Sequence, residues 1–218
     1  MKKVFVLLAP GFELLEAAAP IDVLERCGLE VEKVSLDKDL LVPSSHSVFL
    51  KADSFLSDEN DAQRIVIQGD MIILPGGYPG YRNLAENNLV GSILKEYEKA
   101  GKFIAAICGA PSALAGFEIM AGKKATCHTS VRNAVAKTYE LSSGKTERDG
   151  LLVTGRGAGV SIEFAFECAK ALVSDDIIAE VKRKMEIRCL FQIQLVQNRV
   201  AVNLQVEVHQ RQNALLPS

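Results

Sequence analysis

The segment Ile104-Ala105-Ala106-Ile107-Cys108-Gly109-Ala110-Pro111 (IAAICGAP) decides the fold prediction for this chain. An apolar run typical of a buried strand, Phe103 to Ile107, meets Cys108 and then small residues that open a helix. Small neighbours allow the backbone to reverse sharply, as in the strand-to-helix turn called a nucleophile elbow. Pro111 suits the first turn of the helix that follows. The segment therefore predicts that Cys108 is presented at the end of a central strand.

Apolar runs alternate with helical patterns on both sides of this segment. Such alternation is typical of an α/β fold with a largely parallel sheet. The first unit is predicted as strand Lys3–Leu8, helix Leu14–Cys27 ending at Gly28, and strand Glu30–Leu36. The other predicted elements are a hairpin within Leu40–Lys51, strands at Met71–Leu74 and Leu151–Thr154, and helices from the Asn87 cap to Ala100, at Ser161–Val173 and at Asp175–Met185.

The size and charge of the chain exclude several classes of protein. Its 218 residues, of which 48% are apolar and 24% are charged, are typical of one globular domain. A formal net charge of −2 gives no basic surface of the kind that binds nucleic acid. The longest nearly apolar stretch, Ile104–Phe117, is shorter than the ~20 residues of a membrane span. We therefore expect no nucleic-acid partner and no membrane segment.

The cysteines indicate a reducing compartment, and we expect a cytoplasmic protein. They are odd in number, scattered and without CxxC spacing, which favours free thiols over a disulfide framework. Cys127 and His128 are too few and too adjacent to form a zinc site, and we expect neither metal nor cofactor. The N-terminus lacks a complete signal peptide and is predicted as the first strand. The five cysteines of the chain are Cys27, Cys108, Cys127, Cys168 and Cys189.

The pattern changes after Cys189, where Leu190–Val208 alternates apolar and polar residues in the period of a half-exposed strand. We therefore divide the chain into an α/β domain at 1–189 and a C-terminal extension at 190–218. An edge hairpin, an oligomer contact and a poorly ordered extension are all compatible with this pattern.

Cys108 is the candidate nucleophile. Amides and the dipole at a helix N-terminus favour a thiolate, which predicts a pKa below the ~8.5 of a free thiol. The alternative is an inert, buried cysteine. His128, in a polar loop, is a candidate partner for the thiol, or else a loop histidine that bonds to water or backbone.

Two other strand ends carry candidate site residues. Gly76 and Gly77 follow strand Met71–Leu74, where bare amides could bind an oxyanion, although glycines at a strand end often serve only a turn. Glu16 lies early in the first predicted helix and could face the same crevice, or could be a solvated helix carboxylate.

The motifs GFELLE, LPGGYPG, AAICGAP and TGRGAGVSIEFA, with His128 after a short strand, together resemble the ThiJ/PfpI superfamily and its DJ-one (Parkinson disease protein 7) group. The resemblance spans about Lys2 to Ile187. It implies a flavodoxin-like, three-layer α/β/α sandwich that forms a homodimer. It also implies that Cys108 is hydrogen-bonded to a protonated Glu16 near His128, and that Gly76, Gly77 and Gly109 form an anion pocket.

Two departures from the family pattern narrow the expected function. Gly109 follows Cys108 where the protease-like branch has histidine, which argues against peptidase activity. Thr129 follows His128 where the DJ-one group commonly has proline, so the sequence departs from the family pattern next to His128 but not at Cys108 or Glu16. The resemblance implies a cofactor-free glyoxalase or protein deglycase that converts methylglyoxal to lactate. The alternative is an oxidative-stress sensor or chaperone acting through oxidation of Cys108, and the sequence does not separate the two.

Overall fold

The computed structural model describes residues 1–187, and Met1–Ile178 forms one compact unit. The predicted extension after Cys189, and Cys189 itself, lie outside the described residues. The described strands are β1 Lys3–Leu8, β2 Glu30–Ser35, β3 Leu41–Pro43, β4 Phe49–Lys51, β5 Ser54–Phe55, β6 Met71–Leu74, β7 Phe103–Ile107, β8 Lys124–Ala125, β9 Glu140–Leu141, β10 Thr146–Asp149 and β11 Leu152–Gly155. The α-helices are α1 Leu14–Arg26, α2 Glu59–Gln68, α3 Gly80–Glu86, α4 Asn88–Lys99, α5 Pro111–Gly116, α6 Arg132–Val135, α7 Ser161–Lys170 and α8 Asp175–Lys184.

The main sheet has the strand order β10-β11-β7-β6-β1-β2-β5. All neighbouring pairs are parallel except β10 and β11. The chain moves from β1 to β2 on one side and then returns to β6 on the other side of β1. A crevice opens at the carboxyl ends of the strands where the order reverses in this way, and open α/β sheets bind ligands there.

Helices cover both faces of the sheet, which confirms the predicted α/β/α sandwich. Val4 to Leu8 are fully buried, as expected for a central strand with both faces covered. On one face, Phe5 joins a core cluster with Ile65 of α2 and Leu94 of α4. Helices α1 and α7 pack against each other. Among the described residues, no helix is both long enough and apolar enough to cross a bilayer.

The predicted elements are confirmed with small shifts at their ends, but several others were not predicted, among them α2, α3 and β10. Helix α2 begins with polar residues, although Asp58 caps it by accepting hydrogen bonds from the amides of Asn60 and Asp61. Helix α3 is short and begins at a glycine of the predicted turn. Strand β10 is polar because it forms the antiparallel edge of the sheet. Polar edge elements carry little of the hydrophobic periodicity on which such predictions depend.

Gly69 gives a test of the packing between α2, α4 and the sheet. A Cβ at Gly69 would overlap the hydroxyl of Tyr97 and lie 2.8 Å from the ring of Phe5. Tyr97 is fully buried, and its hydroxyl donates to the carbonyl of Ile65 at 3.1 Å. We expect Gly69→Ala to lower the free energy of unfolding by about 1–3 kcal/mol in urea titrations, the range for overpacked cores. Gly116→Ala is the control, because nothing lies within 4 Å of a Cβ there; equal stability of the two variants would contradict the packing described.

Candidate active site

Cys108 lies at the turn between β7 and α5 with a backbone φ of 66°. This left-handed conformation costs a non-glycine residue about 1–3 kcal/mol and persists only where the surroundings enforce it. The amide of Cys108 donates to the carbonyl of Gly155 at 2.9 Å, and its carbonyl accepts from the amide of His128 at 2.8 Å. These two bonds tie the turn to the segments after β11 and β8. The structure has the predicted nucleophile elbow, with the thiol partly exposed.

Glu16 lies in the first turn of α1 and is fully buried. Its Oε2 accepts a hydrogen bond from the amide of Gly76 at 2.8 Å, and its carboxyl group lies against the Cys108 thiol. The start of the helix is fixed by the amide of Glu13, which donates to the carbonyl of Gly76 at 2.9 Å. Within the described residues, Oε1 has no hydrogen-bond partner of good geometry. A buried carboxylate in this position is costly, which favours its protonated form.

Burial raises the pKa of both groups, and the charge of Glu16 raises the pKa of Cys108 further. Burial raises the pKa of Glu16 to about 7, against the opposing hydrogen bonds from Cys108 and Gly76. Burial and the charge of Glu16 raise the pKa of Cys108 to about 12, although the amides of Gly109 and Gly77 act in the other direction. The prediction of a lowered pKa for Cys108 is therefore wrong, because desolvation and the neighbouring carboxylate outweigh the effect of the amides at the start of α5. Two negative charges do not coexist here, so the pair loses its first proton near pH 7 and its second far above.

Glycines allow the two side chains to meet. A Cβ at Gly76 would lie 2.7 Å from both the Cβ of Cys108 and Oε2 of Glu16. Gly77 has a φ of 91°, which favours glycine. A Cβ at Gly109 would lie 2.6 Å from the ring of Tyr81. The amide of Gly76 is used by Glu16, whereas the amides of Gly77 and Gly109 point at the sulfur of Cys108.

His128 reaches the same site from the loop after β8, but its ring does not hydrogen-bond to Cys108. Its Nδ1 accepts from the amide of Ser130 at 3.2 Å and lies 2.8 Å from the Ser130 hydroxyl oxygen. Because Nδ1 accepts a hydrogen bond from the Ser130 amide, a neutral ring carries its proton on Nε2. The side chain is exposed. His128 is therefore placed to donate a hydrogen bond from Nε2 to a molecule at the mouth of the site.

Gly157, which the sequence did not single out as a site residue, completes the wall between the thiol and the imidazole. A Cβ at Gly157 would lie 3.8 Å from the sulfur of Cys108 and 3.7 Å from Cδ2 of His128. The available signal was the glycine-rich turn directly after β11. Because β11 pairs with β7, that turn had to lie beside the Cys108 elbow.

Comparison with known proteins finds relatives of this chain in sequence and in fold. The profile of the DJ-1/PfpI family matches residues 2–171. Protein dj-1beta of Drosophila melanogaster is 36% identical over 183 residues, which cover 84% of this chain and 95% of that protein. The crystal structure of Drosophila melanogaster DJ-1beta has a TM-score of 0.80 at 32% identity and covers 86% of this chain and 99% of its own.

A further relative carries a functional name. The glutathione-independent glyoxalase DJR-1.2 of Caenorhabditis elegans is 31% identical over 173 residues, which cover 78% of this chain and 89% of that protein. The family match and the extent of these similarities confirm the resemblance found in the sequence motifs. This chain belongs to the DJ-1/PfpI family.

Proposed function

We propose that this chain is a cofactor-free enzyme that converts small α-oxoaldehydes such as methylglyoxal to hydroxy acids such as lactate. The observation that carries the proposal is the buried Glu16, with a pKa of about 7, against the Cys108 thiol on its elbow. A nucleophile beside a group that can both give and accept a proton near neutral pH suits this chemistry. The name of the Caenorhabditis elegans relative supports the same reaction class.

The first step starts from the pair after it has lost one proton, in which Glu16 is the carboxylate and Cys108 keeps its proton because its pKa is higher. As the sulfur approaches the aldehyde, the thiol proton moves to Glu16, which leaves a thiolate beside a protonated carboxyl group. The sulfur forms a bond to the aldehyde carbon, and the carbonyl electron pair moves to the oxygen. That oxygen takes the proton of Glu16, which yields a hemithioacetal and leaves Glu16 as a carboxylate. Amides at Gly77 and Gly109, together with Nε2 of His128, supply hydrogen-bond donors around the developing charge.

The second step uses the carboxylate so formed as a base. Glu16 removes the proton from the former aldehyde carbon, which gives an enediolate. As Glu16 returns this proton to the adjacent carbon, the hydroxyl proton on the first carbon moves to the oxygen of the adjacent carbon. The product is a thioester of lactate on Cys108, so one carbon is oxidised, its neighbour is reduced, and no electrons leave the site. Water then hydrolyses the thioester, releases lactate and restores the thiol. The partly buried thiol favours a free aldehyde over the protein-bound adduct that a deglycase would accept.

A second candidate function, sensing of peroxide, uses the same thiol. Oxidation of Cys108 by peroxide would give the sulfinic acid, the state that a sensor or chaperone would read out. The observation that favours it is Oε1 of Glu16, which has no hydrogen-bond partner among residues 1–187, because a proton there would be available to a sulfinate oxygen. The two candidates differ in outcome: an enzyme releases product and recovers its thiol, whereas a sensor retains the oxidised sulfur.

We also propose that the chain forms a homodimer through the side of α1 and the β3–β4 hairpin. Leu15 on α1 and Phe49 on β4 are large apolar side chains that are both 57% exposed. The hairpin is fixed to the chain before α1, because Gly11 donates to the carbonyl of Pro43 and the Ser45 hydroxyl donates to Glu13 at 2.8 Å each. These apolar side chains therefore form a surface suited to a second copy.

Replacement of cysteines tests the nucleophile. We expect Cys108→Ser to lower the formation of lactate from methylglyoxal by at least about a thousandfold, because the hydroxyl is a much weaker nucleophile. The control variants Cys27→Ser, Cys127→Ser and Cys168→Ser alter buried thiols and should retain turnover within a few-fold if they fold. If Cys108→Ser remains active and a well-folded control variant loses turnover, the nucleophile is another cysteine and not Cys108.

Replacement of Glu16 tests the proton transfer. We expect Glu16→Gln to lower turnover by about 10²–10⁴-fold, the usual contribution of a general base. In the wild type, the rate should rise through pH 7 as the pair loses its first proton, and this step should vanish in the variant. The thiol of Glu16→Gln should titrate below the pKa of about 12 in the wild type, because the neighbouring charge is gone. Ultraviolet absorbance of the thiolate measures this titration.

The matched control is Glu25→Gln, an exposed carboxylate on the same helix, which should leave both the rate and the titration unchanged. Full turnover in Glu16→Gln would exclude Glu16 as the base.

The proposed dimer is tested by a charge on the hairpin. We expect the wild type to scatter light as a dimer and Phe49→Glu to scatter as a monomer, because a buried, unpaired charge is costly at an interface. Ile67→Glu is the control, since Ile67 is 69% exposed on α2, away from this surface. A monomeric wild type, or a dimer that Phe49→Glu leaves intact, would contradict the proposed interface.

A further inference from the structure

Arg132 and Arg156 stand on two loops beside the Cys108 site. Arg132 begins α6, directly after the short helical turn Thr129–Val131 that His128 caps. Arg156 follows β11 and directly precedes Gly157, which lies against both the Cys108 sulfur and the His128 ring. Both arginines are exposed. Neither has a role in the reaction proposed above.

Backbone and side-chain bonds hold these two loops together. The amide of Thr126 donates to the hydroxyl of Thr154 at 2.9 Å, so the chain leading to His128 runs beside the chain leading to Arg156. The Thr126 hydroxyl in turn donates to the carbonyl of Gly144 at 2.9 Å. Cys127, between Thr126 and His128, is within electrostatic reach of both arginines, since the charges of Arg132 and Arg156 both lower its pKa against the larger effect of burial. Both charges therefore act on the residue that directly precedes His128 in the chain.

No carboxylate among residues 1–187 forms an ion pair with either arginine. Two acidic groups near these loops have other partners: Glu163 pairs with Lys145 at 3.5 Å, and Asp149 pairs with Lys123 at 3.2 Å. A third, Glu147, lies opposite Thr154 on β10 and pairs with neither arginine. Glu13, near the start of α1, accepts a hydrogen bond from Ser45. The loops after β8 and β11 thus present two positive charges that no acidic group among residues 1–187 pairs with directly, in a chain whose net charge is −2.

We propose that Arg132 and Arg156 form an anion subsite next to Cys108, and that the preferred substrates are α-oxoaldehydes carrying a carboxylate or phosphate group. The choice of substrate class rests on the proposed function, whereas the anion subsite itself does not. An aldehyde held at the Cys108 sulfur would extend past Gly157 and His128 toward the two guanidinium groups. Arginine suits this role because its planar fork binds carboxylate and phosphate oxygens in pairs.

Alkylation of Cys108 tests the subsite without any assumption about turnover. Iodoacetate and iodoacetamide react identically, by thiolate displacement of iodide, but only iodoacetate carries a negative charge. The ratio of their rates at Cys108, measured by mass spectrometry of the peptide that contains it, isolates the effect of the local charge. At low salt we expect Arg132→Gln and Arg156→Gln each to lower this ratio by about threefold, the size expected for one charge at a water-exposed distance of several ångströms.

The control is Arg26→Gln, which makes the same change in net charge at the far end of α1, where Arg26 pairs with Asp22. Its ratio should equal that of the wild type. A ratio that stays unchanged in both Arg132→Gln and Arg156→Gln, or that falls equally in Arg26→Gln, would overturn the subsite.

Turnover then tests the substrate class. We expect the wild type to favour γ,δ-dioxovalerate, an α-oxoaldehyde that ends in a carboxylate, over methylglyoxal in kcat/KM. The double variant Arg132→Gln, Arg156→Gln should lose this preference by about tenfold while its rate with methylglyoxal stays within a few-fold. An unchanged preference would overturn the assigned substrate class. If the wild type converts neither compound, the proposed function fails, and the alkylation ratio still decides whether the anion subsite exists.

Discussion

The burial of Glu16 against Cys108 is the constraint on which the site depends. A carboxyl group without solvent and a thiol in the same small space share one proton near neutral pH, because desolvation and mutual repulsion oppose a second charge. The pair therefore has a protonated carboxyl available when the sulfur is charged. That same carboxyl becomes a base once its proton has moved to the substrate. A solvated glutamate, with a pKa near 4, would be ionised and unable to give the proton.

The fold supplies this arrangement through strand order and close backbone approach. The loops after β1, β6, β7 and β11 meet at one edge of the sheet because those strands are adjacent and parallel. Gly76 lets the Cys108 elbow and the Glu16 carboxyl meet with no intervening side chain. The left-handed backbone of Cys108 is held by bonds to the segments on either side of it. The strained backbone at Cys108 is thus held in place by neighbouring loops, each of which follows a buried strand.

The sequence predicted the central βα units and the elbow, because buried strands and a Cys-Gly turn leave strong local patterns. Glu16, Gly76 and Gly77 were identified as candidates, and the structure brings them to Cys108, yet the contact between Glu16 and Cys108 depends on strands far apart in the chain. The elevated pKa of Cys108 was missed for the same reason. A helix terminus is visible in the sequence, whereas desolvation and the nearby carboxylate are not. Gly157 was missed because strand order determines which glycine-rich turn faces the thiol.

The most direct test of the account is the product formed from methylglyoxal by the purified chain, without glutathione or added metal, followed by nuclear magnetic resonance. The proposed reaction predicts that lactate accumulates in step with the loss of methylglyoxal, over many turnovers per Cys108, and that the thiol is free at the end. Loss of methylglyoxal without lactate, or a single equivalent held on the protein, would contradict the account and leave Cys108 as a reactive thiol without catalytic turnover.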